Sequence, residues 1–376
     1  MSDWKKIPFN QVASFSYGKM PKKDLLGKGE FQTFSGYKYL DKYPEYNCDI
    51  GDLIVVARGV GGSGDVKLVN RKCYLTNLSI KFDLDHKTVF TPYLYYYFQW
   101  NNLRYLDSGS AQSQITINDL SKVELSLPPL PEQKAIASVL SSLDDKIDLL
   151  HRQNKTLEAM AETLFRQWFI EEAKEDWEDA DLTQLITLQS GYAFKSKDFQ
   201  DSGNFGVIKI KNISGNIIDI EKTDFVSDDV GLATAQRFYV LSGQVLIAMT
   251  GAEIGKLGLV PKTSKKLLLN QRVGLLKPNF EGAEYLAYLH LKSEFGQDYI
   301  ENSATGSAQP NISGSLIEAC PFPKLENSFL QQCGQQVQVY YSKVKENLKQ
   351  IQTLEKLRDT LLPKLMSGEV RVNLSH

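Results

Sequence analysis

Apolar residues follow two textures along this chain. In the first, short runs sit between Gly, Asn and Ser. LIVVA at 53–57 and VLIAM at 245–249 have the length and β-branched content of buried strands, whereas YLYYYF at 93–98 and EYLAYLHL at 284–291 predict short helices. In the second texture, apolar positions step by four and three without a break. Ile136, Leu140, Leu143, Ile147, Leu150, Asn154, Leu157, Ala161, Leu164 and Trp168 make one such seam, the spacing of a coiled-coil a/d stripe. A second seam keeps the same phase 197 residues later: Cys333, Val337, Tyr340, Val344, Asn347, Ile351, Leu354, Arg358, Leu361 and Leu365. Each covers 33 residues, hence about 50 Å of helix at about 1.5 Å per residue.

One such stripe alone would be explained by an amphipathic helix lying on its own domain. Two stripes in one phase predict that the helices pair with each other. Parallel pairing in that phase would set Asn154 against Ile351 and Asn347 against Leu150, leaving two buried amides facing hydrocarbon. Antiparallel pairing sets Asn154 opposite Asn347, Ala161 opposite Tyr340 and Trp168 opposite Cys333, small against large. An unpaired buried amide costs about 1–3 kcal/mol, so the antiparallel arrangement is expected. Arg358 and Tyr340 suit a dry seam poorly and are candidates for a docking surface for partners.

The repeat extends beyond the helices. Gly109-Ser110-Ala111-Gln112 recurs as Gly306-Ser307-Ala308-Gln309, and Thr156-Leu157-Glu158 as Thr353-Leu354-Glu355, both at an offset of 197. Trp4, Gln11 and Gly18 match Trp177, Gln184 and Gly191 at 173, while Gly51 through Gly59 matches Gly243 through Gly251 at 192. An offset growing along the chain is what insertions in a second copy produce, so one unit is written twice. Pro128, Pro129 and Pro131 close the first mixed region, and Pro321 and Pro323 the second. The expected organisation is a mixed domain over 1–130, a long helix over 131–170, a second mixed domain over 177–328, a second long helix over 329–366 and a C-terminal tail over 367–376. The fold class is α+β: two mixed α/β domains related by pseudo-two-fold symmetry, held apart by two long helices that form an antiparallel coiled coil.

Charge changes this picture little. The net charge is −2, with +3 over residues 1–125, −5 over 131–178, −3 over 179–320 and +3 over 321–376. A tight nucleic-acid ligand would therefore need positive surface from partners as well. The four cysteines, Cys48, Cys73, Cys320 and Cys333, form no CxxC pair, which favours a reducing, cytoplasmic setting over a disulfide framework or a zinc site. The first ten residues, MSDWKKIPFN, lack a signal-peptide core, and no run approaches the roughly 18 apolar residues of a membrane span.

Catalytic motifs are not recognisable. The glycines of Gly59–Gly64 are followed by no Lys-Ser/Thr, and Gly251–Lys256 is one residue short of a phosphate loop, so both read as tight turns after buried strands. His86, His151, His290 and His376 fall at no metal-ligand spacing. What recurs is amide- and hydroxyl-rich: Ser110, Gln112 and Gln114 in one copy, Ser307, Gln309 and Asn311 in the other. Gln and Asn can bond both N6–H and N7 of adenine, and Gly and Ser allow close approach to phosphate. Either loop is equally a polar surface loop. Arg58, Arg71 and Lys72, then Lys209, Lys211, Lys256, Gln271 and Arg272, are candidates for base or phosphate contacts, with ordinary solvated surface as the alternative for such single charges.

The stretch GDLIVVARG, the loop GSAQ, the run from Pro128 through PEQKAIASVLSSLDDKI and the end LLPKLMSGEVRV together resemble the specificity subunits of type I restriction–modification enzymes. The resemblance covers nearly the whole chain. It departs at the second helix entry, where ENSFLQQCGQQVQVYY stands in place of the Pro131-Glu132-Gln133 start. It implies two target-recognition domains, each reading half of a split site in double-stranded DNA, with the helices fixing the unread spacer. It further implies two methyltransferase subunits as partners, carrying S-adenosylmethionine, and restriction subunits using ATP and Mg, with no cofactor and no catalytic residue in this chain. A free-standing bipartite DNA-binding regulator and a structural coiled-coil scaffold are the rival readings. The weak charge argues against the first, and two diverged globular domains argue against the second.

Overall fold

A computed structural model describes residues 4–36, 38–59, 63–107, 114–306 and 309–372. The chain divides into two compact units, Met1–Ile147 with Leu354–His376, and Asp148–Thr353. Both are mixed α/β, and both are built to one plan.

In the first unit a four-stranded antiparallel sheet has the order Ala13–Tyr17, Ser79–Leu84, Leu53–Val56, Val66–Leu68. The strand Leu53–Val56 is buried at every residue, as a continuous apolar run requires. A second sheet pairs Phe31–Ser35 antiparallel to Lys38–Tyr43 and parallel to Cys73–Leu75. The second unit repeats the order and the strand directions with Ile186–Ser190, Val273–Pro278, Val245–Ala248 and Leu257–Leu259. Its other sheet keeps the parallel pair, Phe205–Ile208 with Lys266–Leu269, and the antiparallel neighbour, here Asp224–Val226, and adds Phe199–Gln200 and Tyr239–Val240 at its edges. The extra residues of the second copy also form the helix Asp228–Ala233, so the growing offset is an insertion into this sheet. The expected helices at 93–98 and 284–291 run Thr91–Trp100 and Ala283–Lys292.

Gly18 and Gly191 show why the repeat kept its glycines. A Cβ there would stand 2.2 Å from the Thr76 carbonyl oxygen and 2.3 Å from that of Asn270. No larger residue fits.

The long helices run Leu130–Arg166, continued as a π turn to Glu171, and Asn327–Ser367. Each core takes in parts of both. In the first unit Ile136, Ala137 and Leu140 share a cluster with Leu365 and Met366, and with Phe9, Phe82 and Leu94. In the second, Ala161 and Phe165 share a cluster with Cys333, Val337 and Val344, and with Val245 and Tyr285. Within each unit, then, the early part of one helix packs on the late part of the other. The direction is antiparallel, as the amide argument requires. Among the seam positions, Ile147, Leu150, Val337, Val344 and Ile351 are buried, while Leu143, Leu157, Leu354 and Leu361 are half-buried. Within the second unit's seam, one step from Leu150 and Ile351, Asn347 Nδ2 donates to Asn154 Oδ1 at 2.9 Å.

The two residues that suit a dry seam poorly have partners inside their own units. Arg358 is taken up inside its own unit: its Nη1 donates to Asp144 at 2.8 Å, and Asp144 also accepts from the Tyr96 hydroxyl at 2.6 Å. Tyr340 is half-buried against the second core, and its neighbour Tyr341 is the ring that turns fully inward, stacking on Tyr285 at 4.4 Å. The C-terminal stretch packs on the first unit: Arg371 donates twice to the Glu132 carboxylate and lies over the Trp4 ring.

Two outcomes follow from these buried groups. Changing Asn154 alone to Leu leaves Asn347 unpaired, and unfolding in urea should show a loss of about 1–3 kcal/mol; the double leucine variant should recover most of it. A single variant as stable as the parent would show that the amide pair does not hold the register. The second outcome concerns His290, whose Nε2 donates to the Pro321 carbonyl at 2.8 Å and whose ring packs edge-on to Phe322. Burial pushes its imidazole down to about 4 from 6.5. The unfolded chain therefore takes up a proton that the folded chain refuses. Stability from this group is complete above pH about 6.5 and falls as pH drops towards about 4, by on the order of 3 kcal/mol. Denaturant midpoints across that range should flatten in His290→Gln; an equally steep fall in the variant would assign the pH dependence to other groups.

Candidate nucleic-acid interface

In both units the buried central strand runs out into a place where three loops meet. In the first, Ala57 and Arg58 N–H groups donate to the Leu78 carbonyl at 2.9 and 3.1 Å, and Ile115 N–H donates to the Ala57 carbonyl at 2.9 Å. Arg58 and Gln114 thereby face each other as an isolated antiparallel bridge. The hairpin after Phe31–Ser35 closes in from the second sheet, with the Ser79 hydroxyl donating to the Gly36 carbonyl at 3.4 Å. In the second unit Met249 N–H donates to the Arg272 carbonyl and Ile312 N–H to the Met249 carbonyl, both at 3.0 Å. Here Thr250 and Asn311 form the equivalent bridge. Thr305 and Asn311 exchange two backbone hydrogen bonds of 2.9 Å, closing the loop that carries Gln309. In the first unit the Asp107 carboxylate accepts from the Gln114 N–H at 2.9 Å.

This meeting point sorts the candidate residues. Arg58 and Gln114 come together in the first unit; Arg272, Gln271, Gln309 and Asn311 gather around Thr250 in the second. Ser110, Gln112 and Ser307 lie outside the described residues. The arginine has moved between copies. Thr250 occupies the place of Arg58, and Arg272 the place of Leu78, so each meeting point has one arginine on a different strand end. Both are exposed and, among the described residues, neither side chain has an ion-pair partner.

The other cations are committed elsewhere. Lys209 and Lys211 follow the strand Phe205–Ile208 towards the same end of the sheet, and both bind Asp224, at 2.7 and 2.5 Å. Burial raises the Asp224 carboxyl, but the two lysines outweigh it and hold the group below the usual carboxylate range. Lys256 is paired with Glu253. Arg71 and Lys72 precede the strand Cys73–Leu75, at its opposite end from Leu78. Arg71 lies over Tyr39 and bonds Gln32, and Lys72 lies over Tyr46 beside Asp49. These two are not brought together with Arg58.

The arrangement suits recognition. An arginine beside an amide at a loop edge can read guanine O6/N7 and adenine N6/N7. Among the described residues no cluster of three or more His, Cys, Asp or Glu could hold a metal ion, and no helix is long and apolar enough to cross a membrane. Residues that the repeat alone could have flagged also sit here. Tyr192, an exposed ring, bridges Asn270 in the turn before Arg272, and its counterpart at an offset of 173 is Lys19.

A family model described as "Type I restriction modification DNA specificity domain" matches residues 1–159 and again 174–356. The specificity subunit of the MjaVIII type I restriction enzyme of Methanocaldococcus jannaschii is 26% identical over 344 residues, 85% of this chain and 79% of that protein. The HindI specificity subunit of Haemophilus influenzae is 23% identical, over 68% of this chain and 71% of its own. The crystal structure of a type I restriction–modification S subunit from M. genitalium superposes with a TM-score of 0.69 at 20% identity, covering 99% of this chain and 97% of that one. At that identity the likeness is one of fold.

Proposed function

The chain belongs to the type I restriction modification DNA specificity family, and on that footing we propose that it reads a two-part DNA site, one half through each unit. It acts as the specificity subunit that directs methyltransferase and restriction subunits to that site. The observation that carries the reading is the repeated meeting point of three loops with unlike side chains: Arg58 with Gln114 in one unit, Thr250 with Arg272 and Asn311 in the other. A common backbone presenting different donors is what two different half-sites require. A stand-alone regulator fits less well, because a net charge of −2 offers little phosphate attraction of its own. A scaffold gives no reason for diverged loop edges.

The remaining roles fall to partners. Two methyltransferase subunits would supply S-adenosylmethionine and the methyl-transfer site, and restriction subunits the ATP- and Mg-dependent chemistry. Nothing in this chain's motifs performs either step. Purified alone, it should neither methylate nor cut DNA, as radiolabelled methyl transfer and gel assays would report. Methyl transfer by the isolated chain overturns the assignment.

Mapping methylated bases in cells with and without the gene identifies the site. Arg58→Ala should then cost about 1–3 kcal/mol at one base pair of one half, and Arg272→Ala a similar amount in the other half. Competition binding with single-base variants of the site measures both. A variant that relaxes both halves, or neither, contradicts the assignment of one unit to one half.

A further inference from the structure

We propose that each unit carries, beside its loop edge, a phosphate-gripping segment that holds the DNA backbone without reading sequence: Lys19, Lys22 and Lys23 in the first unit, Tyr192, Lys195 and Lys197 in the second. The inference rests on the loop edges facing DNA, and it assigns them a division of labour.

The placement is shared by both units. Gly18 N–H donates to the Ser79 carbonyl at 3.0 Å and Lys19 N–H to that of Leu75 at 2.9 Å; Gly191 and Tyr192 repeat this with Val273 at 3.2 Å and Leu269 at 2.8 Å. Each segment thus leaves the four-stranded sheet beside the turn that ends in Leu78 or Arg272, the same residues that accept from the central strand. Each then makes one short helical turn, Lys23–Leu25 or Ser196–Asp198, preceded by Lys22 or Lys195 at equivalent positions. The backbones are pinned. Lys22 N–H donates to the Tyr43 hydroxyl at 3.1 Å and Gly27 N–H to the Lys42 carbonyl at 2.9 Å. In the second unit Phe194 is buried, and Lys195 N–H donates to Asp198 at 3.2 Å.

Unlike most of the candidate lysines near the loop edges, these carry uncommitted charge. All five are exposed, and among the described residues none forms an ion pair. Lys72, Lys209, Lys211 and Lys256 are each paired with a carboxylate of the chain itself. A paired ammonium must give up its partner to meet a phosphate, whereas a free one releases only counterions, and that release drives association. Tyr192, at the place of Lys19, offers a hydroxyl to the same backbone. An ammonium on a flexible stem is a point charge and cannot distinguish bases, so these segments position the duplex while the arginine–amide edges specify.

The test uses the full chain assembled with its methyltransferase subunits. The probes are a duplex carrying the mapped site and the same duplex with both half-sites scrambled. The variants are Lys19→Ala/Lys22→Ala/Lys23→Ala and Lys195→Ala/Lys197→Ala, all at exposed positions, with thermal midpoints measured alongside and the corresponding Gln variants used if a midpoint falls. Affinity for both duplexes should drop by the same factor. The slope of log affinity against log salt should flatten by about 0.9 per lysine removed. An unchanged slope, or a loss confined to the mapped site, overturns the proposal. Unchanged DNA affinity with weakened subunit assembly overturns it too and assigns the segments to a protein surface. Should the parent fail to prefer the mapped site over the scrambled one, the sequence-reading proposal fails, while the salt slope still reports on the segments.

Discussion

The antiparallel pairing of the two long helices is the constraint on which the rest depends, and one amide contact fixes it in the second unit. Asn154 is almost buried and Asn347 fully so, and their single hydrogen bond leaves the Asn347 carbonyl oxygen unpartnered. Two leucines would pack there at no polar cost. What the amides contribute is register, because any slip along the helices would leave both without a partner. Once that register is set, the core positions of the second unit fall against Val245 and Tyr285 rather than into solvent.

The same pairing gives each mixed domain a floor. In the first unit Tyr96 and Asp144 tie a short helix to the first long one, and Arg358 ties the second long helix to the same carboxylate. With the sheet held on that floor, the carboxyl end of the central strand and the three loops around it can diverge. The backbone bonds recur position for position, from Ala57–Leu78 to Met249–Arg272, while the side chains do not. A recognition module needs this combination of a rigid frame and replaceable residues at its rim.

Periodicity made the helices legible, including their direction, because a heptad seam is a local pattern and a misplaced asparagine has a calculable cost. The buried strands were legible for the same reason. The rim was only partly so. Arg58 and Arg71 are both cations near apolar runs, yet the strand Val66–Leu68 lies between them, and only pairing reveals that they sit at its opposite ends. Lys209 and Lys211 look available in sequence; their neutralisation by Asp224 depends on a strand pairing that no motif marks. The lysines after Gly18 and Gly191 form no motif at all. Their signal was the shared offset of 173, which placed both segments at one structural position before any contact was known.

The repeat is also unequal in a way that favours the pairing observed. The slot filled by Tyr96, Asp144 and Arg358 in the first unit is filled at equivalent positions by Tyr288, Tyr341 and Ala161 in the second. One is a charged hydrogen-bonded set and the other an aromatic pair beside a methyl group, with Tyr288 edge-on to Tyr341 at 5.7 Å. If two copies of the first helix paired in this register, Asp144 would face Ala161 and Asn154 would face Leu150, stranding a carboxylate and an amide. Two copies of the second would set Arg358 against Tyr341 and Asn347 against Ile351. Each stranded amide costs about 1–3 kcal/mol, while the half-exposed Asp144 and Arg358 lose a solvent-screened ion pair worth less. Divergence of the copies therefore did more than change the loop rims: it made each helix a better partner for its unlike sibling than for itself.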